Sequence, residues 1–151
     1  ALNKGFKFVS KKHYKFIVTI DADGQHNPTY IPKLIKKLKL GFDLIIGSRH
    51  QKARISEYIF SFYTKLLWNI SDPLSGLKAY KLDIYSKLGY FDSYYSIGTE
   101  LLLFSLKKGF KVYEENITVV PRIGRSKFGS SLKANYKILK ALLVSFSKKY
   151  N

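Results

Sequence analysis

Short runs of apolar residues alternate with longer amphipathic segments along this chain. Residues 16–20 and 42–46 are two such runs, unbroken and rich in β-branched and aromatic side chains, as is typical of strands buried in a sheet. Between them, apolar residues recur every three or four positions from residue 31 to residue 38, which predicts a helix over 28–40. This alternation predicts an α/β fold with a mostly parallel sheet flanked by helices.

The same patterns extend along the rest of the chain. Residues 1–10 are predicted to be the end of a helix, with Gly5 as its stop. A helical period predicts a C-terminal helix over 132–150, in which Leu132 and Tyr136 begin one apolar face and lysines lie off that face. Further predicted elements are helices over 59–70, 82–88 and 99–108 and a strand over 77–80. Residues 112–120 are predicted to form either a strand pair or one long strand with a break at 115–116.

Two carboxylates, Asp21 and Asp23, follow the first predicted strand at once. The chain leaves the sheet there at its carboxyl edge, which is where open α/β sheets bind ligands. The spacing of two lets both carboxylates approach one hard cation, and Gln25 adds a third oxygen. Turn formation alone is the alternative interpretation, because Asp and Gly favour turns in any case. We expect His26, the next residue of the turn, to be solvated.

Basic side chains outnumber acidic ones by 27 to 10, which gives the 151-residue chain a formal charge of +17. Such an excess indicates nucleic acid, anionic lipid or a phosphorylated substrate as partner, with solvated lysines as the alternative. Arg49 ends the second predicted strand at the same sheet edge, where its guanidinium fork suits a phosphate oxygen. The absence of cysteine excludes disulfides, and the absence of methionine leads us to expect sequence upstream of Ala1.

Four short segments occur in a characteristic order: DADGQ at 21–25, GSR at 47–49, DPLSG at 72–76 and RIGRSKFG at 122–129. Together they resemble the family 2 glycosyltransferases of the GT-A fold, and within them the dolichyl- or polyprenyl-phosphate sugar transferases. The resemblance implies a Rossmann-like GT-A domain, truncated at its N-terminus, that lacks the part which grips the nucleotide base. Residues 1–131 would be the C-terminal two-thirds of that domain, and 132–151 an amphipathic helix.

The resemblance also implies the chemistry, which is inverting transfer of a sugar from a nucleotide sugar to a polyprenyl phosphate. It implies a Mg²⁺ or Mn²⁺ ion bound by Asp21, Asp23 and Gln25, with Asp23 and Asp72 in catalytic roles. Asp72 would orient the acceptor or Arg49, or only cap its turn. The remaining implied assignments are acceptor-phosphate contacts from Arg49, Arg54 and Ser56, a lid over the donor diphosphate from Arg122, Arg125, Ser126 and Lys127, and a base or supporting role for Glu100.

The expected partners are a nucleotide sugar, a polyprenyl phosphate and an anionic membrane surface. The C-terminal helix would lie on the cytoplasmic face of a membrane or pack on the sheet. A saccharide hydroxyl acceptor in cell-surface polysaccharide synthesis and an inactive fragment are the alternatives. Charge alone would also fit a nucleic-acid-binding module, but neither a recognition-helix pattern nor an aromatic RNA-binding signature accompanies it. We therefore expect no nucleic-acid partner.

Overall fold

A computed structural model of the chain describes residues 1–121 and 131–150. Strands and helices alternate along this part of the chain, as the apolar pattern predicts. A one-turn 3₁₀ helix, Pro28–Tyr30, leads into the second α-helix. The elements in order are α1 (Leu2–Ser10), β1 (Phe16–Thr19), α2 (Ile31–Lys39), β2 (Leu44–Arg49), α3 (Ile55–Trp68), β3 (Lys78–Lys81), α4 (Leu82–Leu88), α5 (Glu100–Lys107), β4 (Val112–Ile117) and α6 (Ser131–Ser147).

The four strands form one sheet in the order β1-β3-β2-β4. β3 runs antiparallel to both of its neighbours, and β4 pairs with β2 in parallel. β1, β2 and β4 therefore point the same way, and their carboxyl ends meet the beginning of β3 at one edge of the sheet. This arrangement confirms the predicted α/β fold, but the described sheet is mixed rather than mostly parallel, because two of its three pairings are antiparallel. It brings the DADGQ, GSR and DPLSG segments to that edge.

Helices cover both faces of the sheet because β2 is apolar on both sides. On one face Leu34 and Leu38 of α2 pack on Ile45. On the other face Leu44 and Ile46 belong to a core that includes Phe6 of α1 and side chains of α4 and α5. β1 departs from its predicted burial, since its first three residues are only half-buried. The reason is its place at the end of the described sheet, where it pairs with β3 alone.

Three sequence-based boundaries were wrong. Gly5 does not stop a helix but lies inside α1. α3 begins at Ile55, four residues before its predicted start. The predicted break at 115–116 does not occur, because these residues continue the parallel pairing of β4 with Gly47 and Ser48 of β2.

α6 packs on α3 and α5 rather than on the sheet. Ile138 and Leu142 join Phe60 and Leu103 in one buried cluster. The C-terminal end of α6 is also tied down, because the Nζ of Lys107 donates to the carbonyl oxygens of Ser145 (2.6 Å) and Lys148 (2.8 Å). Leu132 and Tyr136, which begin the predicted apolar face, are exposed. Among the residues described, no helix has the length and apolar character needed to cross a bilayer.

Candidate active site

The DADGQ turn leaves β1 at the carboxyl edge of the sheet. Asp23 Oδ1 accepts a hydrogen bond from the backbone N–H of Gln25 at 3.1 Å, which closes the turn locally. The carbonyl of Gln25 accepts from the backbone N–H of Val120 at 3.1 Å and so fixes the turn to the segment after β4. The side chain of Asp21 remains 58% exposed. Its carboxylate is therefore presented at the surface by a backbone held on two sides.

Asp21 lies directly against the turn that precedes β3. A Cβ atom at Gly76 would overlap the Asp21 carboxylate, so only glycine permits this close approach. Thr19 Oγ1 donates to the carbonyl of Gly76 at 3.2 Å, and Ser75 Oγ donates to the carbonyl of Gly47 at 2.5 Å. The Ser75-Gly76 pair thus joins the ends of β1 and β2 and sets the position of Asp21.

Arg49 and Asp72 form a two-point ion pair at the end of β2. Asp72 Oδ2 accepts from Arg49 Nε at 2.8 Å, and Oδ1 accepts from Nη2 at 2.9 Å. Asp72 Oδ2 also accepts the backbone N–H of Arg49 at 2.9 Å. Burial alone would lower the pKa of Arg49, but the hydrogen bonds and charge of Asp72 raise it above its ordinary value. Of the alternatives for Asp72, the geometry favours the one in which it orients Arg49.

Two further carboxylates complete this network. Glu57 accepts from Arg49 Nη2 at 3.3 Å and from Arg54 Nη1 at 3.2 Å. Glu114 of β4 accepts from the backbone N–H groups of Ser71 (2.9 Å) and Asp72 (2.8 Å) and so holds the turn that carries Asp72. Sequence reasoning missed both. Arg54 and Glu57 lie three residues apart at the start of α3 but precede the helix predicted over 59–70, so no local pattern pointed to either carboxylate.

Two cavities lie on either side of Asp21. The first, which we term the arginine cavity, has a volume of about 80 Å³ and is lined by Arg49, Arg54 and Glu57 among others. The second, the lysine cavity, has a volume of about 320 Å³ and lies between the end of β1, the start of β3 and residues 91–98. Since Asp21 lines both, an ion bound there would contact the contents of either cavity.

Lys78, at the first position of β3, is buried and lines the lysine cavity. Its Nζ donates to the carbonyl of Ser75 at 2.5 Å. Burial lowers the pKa of Lys78 to about 8, although the negative charges of Asp72 and Asp21 act in the opposite direction. Sequence reasoning missed this residue because lysine is ordinarily exposed, and nothing in the local pattern marked it as an exception.

His26 is buried, so the expectation of a solvated turn residue was wrong. Its Nε2 lies 3.9 Å from Asp21 Oδ2, and it lines the arginine cavity. Burial lowers the pKa of His26, while the charge of Asp21 partly offsets this. His26 is buried because an antiparallel bridge pairs it with Val119, in the segment that follows β4.

Several predicted site residues lie apart from this group. Ser56 is buried at the contact with α6, where its hydroxyl donates to Asn135 Oδ1 at 2.5 Å. Glu100 is fully buried and accepts from Ser93 Oγ at 2.9 Å and from Lys148 Nζ at 2.5 Å, so it ties the 93–100 loop to the segment after α6. The predicted lid residues Arg122, Arg125, Ser126 and Lys127 lie outside the described residues.

The donor atoms in the DADGQ turn suit a hard divalent ion. Asp21 and Asp23 offer carboxylates and Gln25 an amide oxygen, which is the ligand chemistry of Mg²⁺ and Mn²⁺. Within 1–121 and 131–150 there is no cluster of three or more His, Cys, Asp or Glu side chains arranged for a metal. The chain therefore fits an ion that takes one or two carboxylates from the protein and its other ligands from a phosphorylated substrate and water.

Comparison with known proteins matches residues 1–89 to the family model "Glycosyl transferase family 2". An uncharacterized protein of Methanocaldococcus jannaschii is 30% identical over 95% of this chain and 65% of its own length. Undecaprenyl-phosphate mannosyltransferase of Micrococcus luteus is 26% identical over 85% of this chain and 59% of its own length. The chain thus spans less than two thirds of either relative.

A solved structure shares the fold. Glucosyl-3-phosphoglycerate synthase from Mycobacterium tuberculosis, in complex with Mn²⁺, uridine diphosphate and phosphoglyceric acid, superposes with a TM-score of 0.72. It is 18% identical in sequence, and the match covers 97% of this chain and 54% of that one. At this identity the likeness concerns architecture alone, and it confirms the GT-A fold that the sequence motifs predicted.

Proposed function

Because the chain belongs to glycosyl transferase family 2, we propose that it supplies the metal-binding and acceptor-binding side of a polyprenyl-phosphate glycosyltransferase. In this proposal a sugar passes with inversion from a nucleotide sugar to the phosphate of a polyprenyl lipid at a membrane surface. The observation that carries it is the arginine cavity, which Arg49, Arg54 and Asp21 line together. Paired arginines suit a phosphate, and the adjacent carboxylate suits the ion that would accompany a nucleoside diphosphate.

Asp21, Asp23 and Gln25 would hold Mg²⁺ or Mn²⁺. When bound, the ion neutralises the charge that develops on the leaving diphosphate. The hydrogen bond from Gln25 to Asp23 and the contact of Asp21 with Gly76 hold the two carboxylates before any ligand arrives. Such preorganisation reduces the rearrangement needed at the moment of reaction.

Arg49 and Arg54 would bind the acceptor phosphate. Glu57 accepts hydrogen bonds from both guanidinium groups and Asp72 from that of Arg49, so each group is fixed in direction, and both arginines line the cavity. A phosphate monoester is largely ionised near neutral pH, so the acceptor needs no strong base. Glu100 then acts as a supporting residue, which agrees with its hydrogen bonds to Ser93 and Lys148.

A lipid acceptor places the reaction at a membrane, for which we propose the cytoplasmic face. The named relative from Micrococcus luteus acts, by its name, on undecaprenyl phosphate. The charge of +17 and the exposed apolar side chains of α6 support the same location.

The test is sugar transfer by the full-length protein with polyprenyl phosphate and Mn²⁺, in parallel with a saccharide acceptor. Asp23→Ala is expected to lower turnover by at least about a hundredfold without unfolding, because the ion would lose a ligand. Asp83→Ala, which removes an exposed carboxylate on α4, is the matched control. Full activity of Asp23→Ala, or transfer to the saccharide hydroxyl alone, would contradict the proposal.

A further inference from the structure

α3 is amphipathic in the reverse of the usual sense. Most of its exposed side chains are apolar or aromatic, with Ile55, Phe62 and Leu66 exposed by 76%, 65% and 70%. Its buried side includes several polar residues, namely Ser56, Glu57, Ser61 and Thr64. A helix of a water-soluble domain ordinarily turns its apolar stripe toward the core. The outward apolar side of α3 therefore needs a cause beyond the packing of this chain.

The orientation of α3 is fixed by its polar side. Glu57 receives hydrogen bonds from Arg49 and Arg54, and Ser56 donates to Asn135 of α6. Thr64 Oγ1 donates to the carbonyl of Ile70 at 2.8 Å. Rotating the helix to bury its apolar side would break all of these bonds and separate Glu57 from Arg49 and Arg54. The apolar side chains stay outside because the active-site edge holds the polar ones inside.

The exposed surface continues from α3 onto α6. The rings of Tyr63 and Phe146 meet across the two helices with centroids 5.6 Å apart. The other exposed side chains of α6 are apolar or aromatic at Leu132, Tyr136 and Leu143, and polar at Lys133, Lys137, Lys140 and Ser147. We define the α3–α6 face by Ile55, Ile59, Phe62 and Leu66 of α3 together with Tyr136 and Leu143 of α6, all exposed.

The charges around this face are positive. The only carboxylate of α3 is Glu57, which is buried and paired, and α6 contains neither Asp nor Glu between residues 131 and 147. Lys65 of α3 and Lys140 of α6 are exposed, and Lys52 lies with its Nζ 5.3 Å from the ring centre of Tyr58. Apolar side chains with lysines at their border match an anionic lipid interface. A second copy of the chain fits less well, because two partners of charge +17 repel each other.

We propose that the α3–α6 face docks on an anionic lipid bilayer, with both helices lying in the plane of the interface. The inference rests on the proposed function, since a polyprenyl phosphate has to be met at a bilayer, and it adds which surface makes the contact. α3 begins beside Arg54, which lines the arginine cavity. Docking through α3 therefore brings that cavity to the level of the lipid phosphates.

The test is cosedimentation of the chain with vesicles of equal parts phosphatidylcholine and phosphatidylglycerol, compared with phosphatidylcholine alone. The double variant Phe62→Ser, Leu66→Ser is expected to bind the anionic vesicles at least about tenfold more weakly, because it loses two large apolar contacts. The matched control is Phe8→Ser, Leu40→Ser, which removes side chains of the same types with nearly equal exposure, 64% and 67%, from α1 and the end of α2. This control is expected to bind like the wild type.

Equal vesicle binding by the two double variants, or none by the wild type, would overturn the proposal. So would a wild-type dimer that dissociates in Phe62→Ser, Leu66→Ser without lipid. Transfer to a detergent-dispersed short-chain polyprenyl phosphate, measured on the full-length protein, separates this inference from the proposed function. The double variant is expected to keep that activity, whereas failure of the wild type to transfer would refute the function and leave the lipid contact standing.

Discussion

Folded proteins ordinarily bury apolar side chains and expose charged ones, and the carboxyl edge of the sheet and the α3–α6 face depart from this rule in opposite ways. At the edge, Arg49, Asp72 and Glu57 are largely buried charges, and each has a partner within a few ångströms. At the face, Phe62 and Leu66 are large apolar groups directed away from the protein. Buried charges and exposed apolar patches are the two departures that carry information about function. The charges at the edge are paired with other side chains of this protein, whereas the apolar side chains of the face would be covered only by another molecule.

The comparison can be tested by one quantity, the free energy of unfolding. Residues at the edge should matter greatly for stability, because the fold has already enclosed their charges. Residues of the face should matter little, because the folded chain leaves them in water.

The largest effect is expected for Asp72→Ala. Removing this carboxylate leaves Arg49, only 18% exposed, without its main counter-charge, which costs about 3 kcal/mol or more of unfolding free energy. Urea denaturation followed by circular dichroism measures the loss. Asp83→Ala, at an exposed carboxylate of α4, should change stability by less than about 1 kcal/mol. Similar losses of unfolding free energy in the two variants would mean that the buried Arg49–Asp72 pair stabilises the fold no more than an exposed carboxylate does.

Next comes the pH dependence due to Lys78. Burial sets its pKa at about 8 in the folded chain, against an ordinary value of 10.5 when unfolded. Between these values the unfolded chain holds the extra proton, so the contribution of Lys78 to stability rises with pH, by about 3 kcal/mol in total.

The variant Lys78→Met lacks this amine, so its free energy of unfolding lacks the increase with pH that Lys78 contributes. Denaturation curves from pH 7 to pH 11 should therefore show the wild type gaining stability relative to the variant between pH 8 and 10.5. Lys39→Met, at an exposed lysine of α2, serves as control. Parallel curves for the wild type and Lys78→Met would show that the buried position of Lys78 does not govern its charge.

A smaller effect is expected for Gly76→Ala. The added methyl group overlaps the Asp21 carboxylate, and the forced shift costs about 1–3 kcal/mol. Gly5→Ala is the control, since its Cβ meets nothing within 4 Å and helix α1 should gain about 0.5–1 kcal/mol. Equal changes in the two variants would argue against the close approach of Asp21 to this turn.

The smallest effect is expected for Phe62→Ser on the α3–α6 face. Its side chain is exposed already, so unfolding free energy should change by no more than about 0.5 kcal/mol. Phe60→Ser on the same helix should cost about 3–5 kcal/mol, because Phe60 is fully buried. A large loss for Phe62→Ser would place that side chain in the core and remove the contrast between the two regions.

The pattern of apolar and polar residues predicted individual strands and helices but not the order of the strands in the sheet. The apolar runs that became β1 and β2 were recognised, and the helix over 82–88 has the predicted bounds. The insertion of β3 antiparallel between β1 and β2 was beyond such patterns, because strand order depends on contacts between distant segments. The GT-A resemblance supplied the architecture that periodicity could not.

The candidate site was predictable where its residues follow strands. The sequence predicted Asp21, Asp23 and Arg49 at one edge from their positions after two apolar runs, and in the structure Asp21 and Arg49 line one cavity. Glu114 and Lys78 were not found, since their roles depend on burial and on a partner far along the chain. The sequence also predicted a helix over 59–70, within the region of α3, without indicating that its polar side faces inward.

The parallel pairing of β2 with β4 determines when the site can assemble. Leu44 lies opposite Val112, with α3, β3, α4 and α5 between them in sequence. Closing so long a loop makes this pairing a slow step. Glu114 reaches the backbone of Ser71 and Asp72 only once β4 is in place. During synthesis, the turn that carries Asp72 therefore cannot be fixed until β4 has left the ribosome. The apolar side chains of α3 leave the ribosome earlier, so they are exposed before the neighbouring site has formed.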